Sequence, residues 1–225
     1  MTVHFGSKVR KHGSFFSYAC VKCSKCCYGK GIQVNPYEIM RLSVFLETDS
    51  TSFRGKYLDG QFLRHKDSSG SCIFLDESGC GVHKDRPLVC RLYPLGRIRY
   101  DDGEEIFPEV IPHAECKGIY GESDTVEKYL ESQDTGPYFR AEKSYREIIN
   151  KMTRAVSVYM AKAEIPKTDL NEFYEKDPGW ILDPDPVIRK YCDQKKTAFP
   201  CSVDEKLAVH LEALNAWVEG EWEPV

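Results

Sequence analysis

Four cysteines within eight residues, Cys20, Cys23, Cys26 and Cys27, constrain this chain more than any other feature of its sequence. Thiols crowded this closely cannot pair well among themselves. A disulfide wants Cα atoms about 5.5 Å apart and matched side-chain directions. Four more cysteines follow at Cys72, Cys80, Cys90 and Cys116, and two isolated ones at Cys192 and Cys201. The opening segment Met-Thr-Val-His-Phe-Gly-Ser-Lys lacks the apolar stretch of a secretory signal. The expected compartment is therefore the reducing cytoplasm, where disulfides rarely persist. There, clustered thiolates are best read as ligands for a soft or borderline metal.

Composition narrows the partners. The 225 residues are 41% hydrophobic and 29% charged, ordinary values for a chain that buries a real core. A net charge of -4 gives no global attraction to nucleic acid, so none is expected as a partner. No apolar run approaches the roughly 20 residues that span a bilayer, so no membrane is expected either. Residues 1–30 carry Lys8, Arg10, Lys11, Lys22, Lys25 and Lys30 without any Asp or Glu. That stretch reads either as a solvated basic face or as countercharge for a metal–thiolate centre.

Local patterns then place the elements. Asn35 is a good N-cap and Pro36 suits the first helical position, which predicts a helix over 35–47 with Ile39, Leu42, Val44, Phe45 and Leu46 as its apolar face. A second short helix should begin after Ser50 or Thr51. Short strands are expected over 61–66 and 72–76, and a hairpin over 97–112 around Asp101-Asp102-Gly103. From about 124 the pattern turns helical. One long helix is expected over 137–162, with Tyr138, Tyr145, Ile148, Ile149, Met152, Val156 and Tyr159 as a core stripe. Residues 176–200, rich in Pro, Asp and Gly, read as an extended loop. A last helix over 203–219 is announced by Ser202 and Glu205 as a capping box and stopped by Gly220. Strand-like and helical patterns are segregated, which predicts an α+β fold. A cysteine-rich metal-cluster core with a short antiparallel sheet occupies 1–120, and a helical extension over 121–225 packs on it.

The spacing Cys20-x2-Cys23-x2-Cys26 matches the triple that wraps three irons of a cubane [4Fe–4S] cluster. Neighbouring side chains usually diverge, so Cys27 is left to face a second centre. Eight thiolates would serve two four-ligand sites, an arithmetic that suits two zinc ions equally. All eight are expected to converge in groups with sulfurs roughly 4 Å apart, set by metal–sulfur bonds of about 2.3 Å. Pro87 can start a short helix that presents Cys90, and Pro94 can end it. Arg86 and Arg91 bracket that thiolate and could neutralise it or anchor an anion. His83 reads as a surface or satisfied histidine rather than a ligand, and Cys192 and Cys201 as free thiols outside the cluster.

The run Cys20-x2-Cys23-x2-Cys26-Cys27, Cys72-x-Phe74-Leu75, Cys80 and Arg86-Pro87-x2-Cys90-Arg91-x-Tyr93-Pro94 resembles the YkgJ-like cysteine-cluster (CxxCxxCC) proteins. Cys116, within Glu115-Cys116-Lys117-Gly118, looks like that family's late cysteine, and Asn35-Pro36-Tyr37-Glu38-Ile39 like the segment after its first cluster. The resemblance covers about residues 18–120 and implies a zinc- or iron-chelating domain. The family often has a tyrosine where His83 stands. The expectation is a metal-binding protein holding an iron–sulfur cluster, or zinc, through about eight thiolates, in a structural or electron-transfer role. Two alternatives stand beside it. One is an enzyme of the protein-lysine methylase type, for which no glycine-rich cofactor fingerprint is present. The other is a zinc-stabilised module that docks an unidentified protein partner.

Overall fold

The computed structural model describes residues 5–100, 102–162 and 179–222. The chain divides into two compact units, each discontinuous in sequence. The first comprises residues 1–34 and 57–137, the second residues 35–56 and 138–225. The division thus falls after residue 137 rather than near 120, and the segment 35–56 joins the later helices. Among the described residues no helix is long and apolar enough to cross a membrane.

The first unit holds the strands, all antiparallel, so the fold is α+β as expected. Strand β1 (Phe5–Arg10) pairs with β8 (Glu105–Val110), with Phe5 opposite Val110 and Arg10 opposite Phe107. The other edge of β8 takes β7 (Ile98–Arg99), which forms the hairpin read at 97–112. The turn carries Gly103 at φ 90°, a left-handed value that glycine adopts without a Cβ clash. Asp101 lies outside the described residues. Strand β2 (Phe15–Ala19) pairs with β9 (Ile119–Thr125), setting Tyr18 opposite Tyr120. The strands read at 61–66 and 72–76 form differently. Each half folds on its nearest neighbour, β3 (Leu58–Asp59) on β4 (Phe62–Leu63) and β5 (Leu75–Asp76) on β6 (Gly79–Cys80). Gly60 at φ 58° and Gly79 at φ 112° supply the left-handed residues these tight returns need. Only the isolated bridge His65↔Cys72 joins the two segments as strands. Two short helices complete the unit, α3 (Leu88–Leu92) and α4 (Val126–Ser132). Phe16, Val34, Leu95, Phe107 and Val126 are its most buried apolar residues, and Phe16 meets Tyr129 edge-on at 5.0 Å.

The second unit is helical. Helix α1 (Pro36–Phe45) starts with the capping box Asn35/Glu38 and buries Tyr37, Ile39, Met40 and Leu42. Val44 and Phe45, assigned to its apolar face from sequence, are exposed in the last turn of the helix. Helix α2 (Ser50–Tyr57) follows. Helix α5 (Gly136–Lys162) buries Tyr138, Ala141, Tyr145, Ile148 and Met152 at alternating steps of three and four, while Ile149 is exposed. The side chains of Val156 and Tyr159 lie outside the described residues.

The extended loop read at 176–200 is overturned over its described part. After the short turn α6 (Gly179–Leu182), helix α7 runs Pro184–Lys195. Pro184 and Pro186 both sit in its first turn, where no amide is needed and a proline breaks nothing. Val187, Ile188 and Cys192 then bury one face. Helix α8 (Val203–Val218) has the expected Ser202/Glu205 capping box and is followed by Gly220 at φ 74°.

A buried polar network ties these helices. The Ser50 hydroxyl donates to Asp183, the Ser50 amide to Asp185 at 2.9 Å, and Thr51 to Asp183 at 2.7 Å. The ammonium of Lys206 meets Asp185 at 2.8 Å, both buried. His210 is wholly buried, its Nδ1 2.8 Å from the Tyr145 hydroxyl, and burial holds its pKa down to about 3. The folded chain therefore keeps this imidazole neutral where the unfolded chain protonates it, near pH 6.5. Stability from His210 is whole above that pH and falls as pH drops toward 3, by up to about 1.4 kcal/mol per pH unit. Urea unfolding at about pH 7 and pH 4.5 should show a steeper loss in the wild type than in His210→Phe. Parallel losses would mean that His210 does not drive the acid sensitivity.

Candidate metal centre

Six short segments of the first unit deliver the eight clustered cysteines. β2 ends at Ala19 and releases a loop in which Lys22 and Ser24 take φ of 54° and 60°. A non-glycine residue pays about 1–2 kcal/mol for that left-handed backbone, and such strain concentrates where function requires a tight turn. A 3-10 turn, Lys25–Cys27, follows and is closed by the Cys27 amide donating to Ser24 at 3.0 Å. The Cys27 carbonyl accepts the Cys72 amide at 2.8 Å, and the Gly29 amide donates to Gly70 at 2.9 Å. These two bonds stitch the first cysteine run to Cys72. Cys80 ends β6, and α3 presents Cys90 just after Pro87, as the sequence predicts. Cys116 follows β8 in a turn in which its amide donates to His113 at 2.8 Å.

All eight line one cavity of about 360 Å³. Cys20 is exposed and the other seven are partly buried. Cys192 is buried and Cys201 exposed, and both belong to the second unit. The sulfurs do not gather as expected. Among the described residues no group of three or more His, Cys, Asp or Glu side chains is already placed to hold one ion. The thiol of Cys23 is influenced by that of Cys116, and the thiols of Cys26 and Cys27 by each other. The neighbouring doublet therefore does not diverge. The 3-10 turn, with about three residues per turn and poorer bond geometry than an α-helix, lets both thiols face the cavity.

Backbone amides point at the sulfurs in a repeated pattern. Cys20 accepts the amide of Lys22 at 3.4 Å. Cys23 accepts from Lys25 and also Lys117, Cys72 from Phe74, and Cys80 from Val82. In four cases the donor is thus the second residue after the cysteine. An amide N–H stabilises a thiolate more than a thiol. The Lys117 amide, followed by that of Lys25, lowers the pKa of Cys23. The hydrogen bond from Cys27 pulls Cys26 down to about 7, and Cys27, as the donor, is raised. Burial raises Cys72 and Cys80.

Among the described residues the cavity wall contains no Asp or Glu, whereas Lys22, Lys30, Arg86 and Arg97 line it. The acid-poor N-terminal segment divides between the two readings made of it. Arg10, Lys11 and Lys25 pair with Glu109, Glu104 and Glu115, while Lys22 and Lys30 turn to the thiols. Arg86 lies beside Cys80 and Cys90 and donates to Gln133 at 2.8 Å. Arg91 is held by backbone carbonyls. It is buried and donates to the carbonyls of Arg86, at 3.0 Å, and Gln133, at 2.8 Å. His83 lines the cavity, and burial with the nearby Arg86 lowers its pKa.

Sequence reasoning missed the tyrosines. Tyr18 and Tyr93 each set a hydroxyl 3.8 Å from the Cys116 sulfur. Burial first, then that sulfur, pushes both hydroxyls far above the usual phenol range. The soft donors, the amides aimed at them and the cationic, carboxylate-free wall together fit a thiolate-bound metal.

The chain is 27% identical over 121 residues to the uncharacterized protein MJ0661 of Methanocaldococcus jannaschii, an overlap of 51% of this chain and 65% of that one. It is 26% identical over 111 residues to the uncharacterized protein MJ0939 of the same organism, covering 46% and 37% respectively. The chain thus spans under two thirds of the length of either relative. No solved structure matches it. Residues 19–117 match the model of the CxxCxxCC family, described as "Putative zinc- or iron-chelating domain".

Proposed function

We propose that the first unit holds an iron–sulfur cluster through thiolates drawn from Cys20, Cys23, Cys26, Cys27, Cys72, Cys80, Cys90 and Cys116, in a structural or electron-transfer role within a reducing compartment. The observation that carries this reading is the wall itself. Eight thiols, four of them receiving an amide from two residues on, face a cavity to which the described residues contribute no carboxylate. Metal–thiolate centres carry net negative charge, which Lys22, Lys30 and Arg86 offset. The cavity volume, about 360 Å³, supports a group of several atoms. A structural zinc site is four-coordinate and closed and asks for no such space. When bound, the cluster would supply a one-electron couple. The chain's own residues would hold it, shield it and neutralise its charge.

A second reading, two zinc ions sharing the eight thiolates, is favoured by the donor count alone. Anaerobic purification followed by assay of iron, acid-labile sulfide and zinc separates the two. Iron and sulfide in comparable amounts, with a visible absorption bleached by dithionite, is the expected result. Stoichiometric zinc without sulfide would replace the cluster by the zinc reading.

A further inference from the structure

We propose that Tyr18 and Tyr93 are positioning residues for Cys116: their hydroxyls converge on its sulfur and weaken its donation to a bound metal. The inference rests on the thiolate-metal reading above but not on which metal is bound. Four of the other cysteines receive amides from two residues downstream, whereas the Cys116 sulfur has two phenol hydroxyls beside it, each 3.8 Å away, of which Tyr93 donates to it.

Both phenols are held from behind. The register of β2 on β9 sets Tyr18 opposite Tyr120, and its ring meets those of Tyr120 at 5.0 Å and Tyr93 at 6.0 Å, both edge-on. Tyr93 leaves the end of α3, and its carbonyl accepts the Tyr129 hydroxyl at 2.6 Å. Gly118 opens the approach. A Cβ there would lie 2.2 Å from the Tyr18 hydroxyl, so no other residue at 118 leaves that hydroxyl in place. Three separate elements thus agree on one sulfur.

A hydrogen bond to a coordinated thiolate draws density away from the metal–sulfur bond. It raises the energy of sulfur-to-metal charge transfer and, for a redox-active group, the reduction potential. The full-length chain loaded with cobalt(II) reads this directly by absorption. The wild type should show thiolate-to-cobalt bands. Tyr18→Phe and Tyr93→Phe should each move them to lower energy, and the double variant further. Gly118→Ala, which displaces the Tyr18 hydroxyl, should reproduce the Tyr18→Phe shift. Tyr100→Phe, outside the cavity wall, should leave the bands in place. Circular dichroism checks that each variant stays folded. Bands identical in the wild type and the two phenylalanine variants would overturn the inference while leaving the metal reading intact. A wild type with no thiolate-to-cobalt band would overturn both.

Discussion

Cys26→Ser is expected to strip the chain of most of its metal and to loosen the first unit, while Cys192→Ser keeps its full metal content. Cys26 lines the thiol wall, its pKa held near 7 by the Cys27 donor and influenced by Lys30 and Arg86. A serine hydroxyl is neither a soft ligand nor ionised at neutral pH. In thiolate sites, binding free energy is also folding free energy, about 10–16 kcal/mol for structural zinc in small domains. Loss of the metal should therefore appear as an early unfolding step of residues 1–34 and 57–137. Cys192 is buried in α7, so its serine variant is not silent. Burying an extra hydroxyl there should cost about 1–3 kcal/mol with no metal released. Metal content measured beside thermal unfolding discriminates. Equal metal content in the two variants would remove Cys26 from the site.

The second large effect is expected in the helical unit. Asp185→Ala removes the carboxylate that meets Lys206 at 2.8 Å and accepts the Ser50 amide at 2.9 Å. It leaves a buried ammonium without its counterion and an orphaned amide, which should cost about 3–5 kcal/mol. The same position tolerates an apolar solution. A double variant, Asp185→Leu with Lys206→Met, should recover most of the loss, because two matched apolar side chains need no desolvation. Urea midpoints of the two variants give the comparison. A single variant within about 1 kcal/mol of the wild type would show that the pair contributes little.

What could be read in advance follows the range of the interaction involved. α1, α3 and α8 were legible because their signals are local: Asn35 with Glu38, Pro87, and Ser202 with Glu205. The hairpin of β7 and β8 announced itself through its Asp-Gly turn. β1, β2 and β9 gave no comparable signal. Their pairings join residues about 100 positions apart, such as Phe5 with Val110, and β9, Ile-Tyr-Gly-Glu-Ser-Asp-Thr, alternates poorly. α7 was hidden by prolines that sit where a helix tolerates them. At the site, cysteine spacing singled out the eight thiols that share the cavity. It could not reveal that Tyr18, 98 positions from Cys116, supplies a hydroxyl to it. Nor could it show the Cys26–Cys27 doublet facing one way, which depends on a 3-10 turn.

The discontinuity of the two units bears on how such a domain could be excised or transplanted. A fragment confined to residues 19–117 would leave behind β1, the partner of β8, together with all of β9 and all but the last residue of its partner β2. It would also carry α1 away from α8, which packs against it in the second unit, and uncover Tyr37, Ile39, Met40 and Leu42. An exposed apolar face of that kind favours self-association over a monomeric fold. A graft of the cysteine wall that keeps these strand pairings therefore takes in residues 1–34 and 57–137, a different stretch from the one that the family match covers.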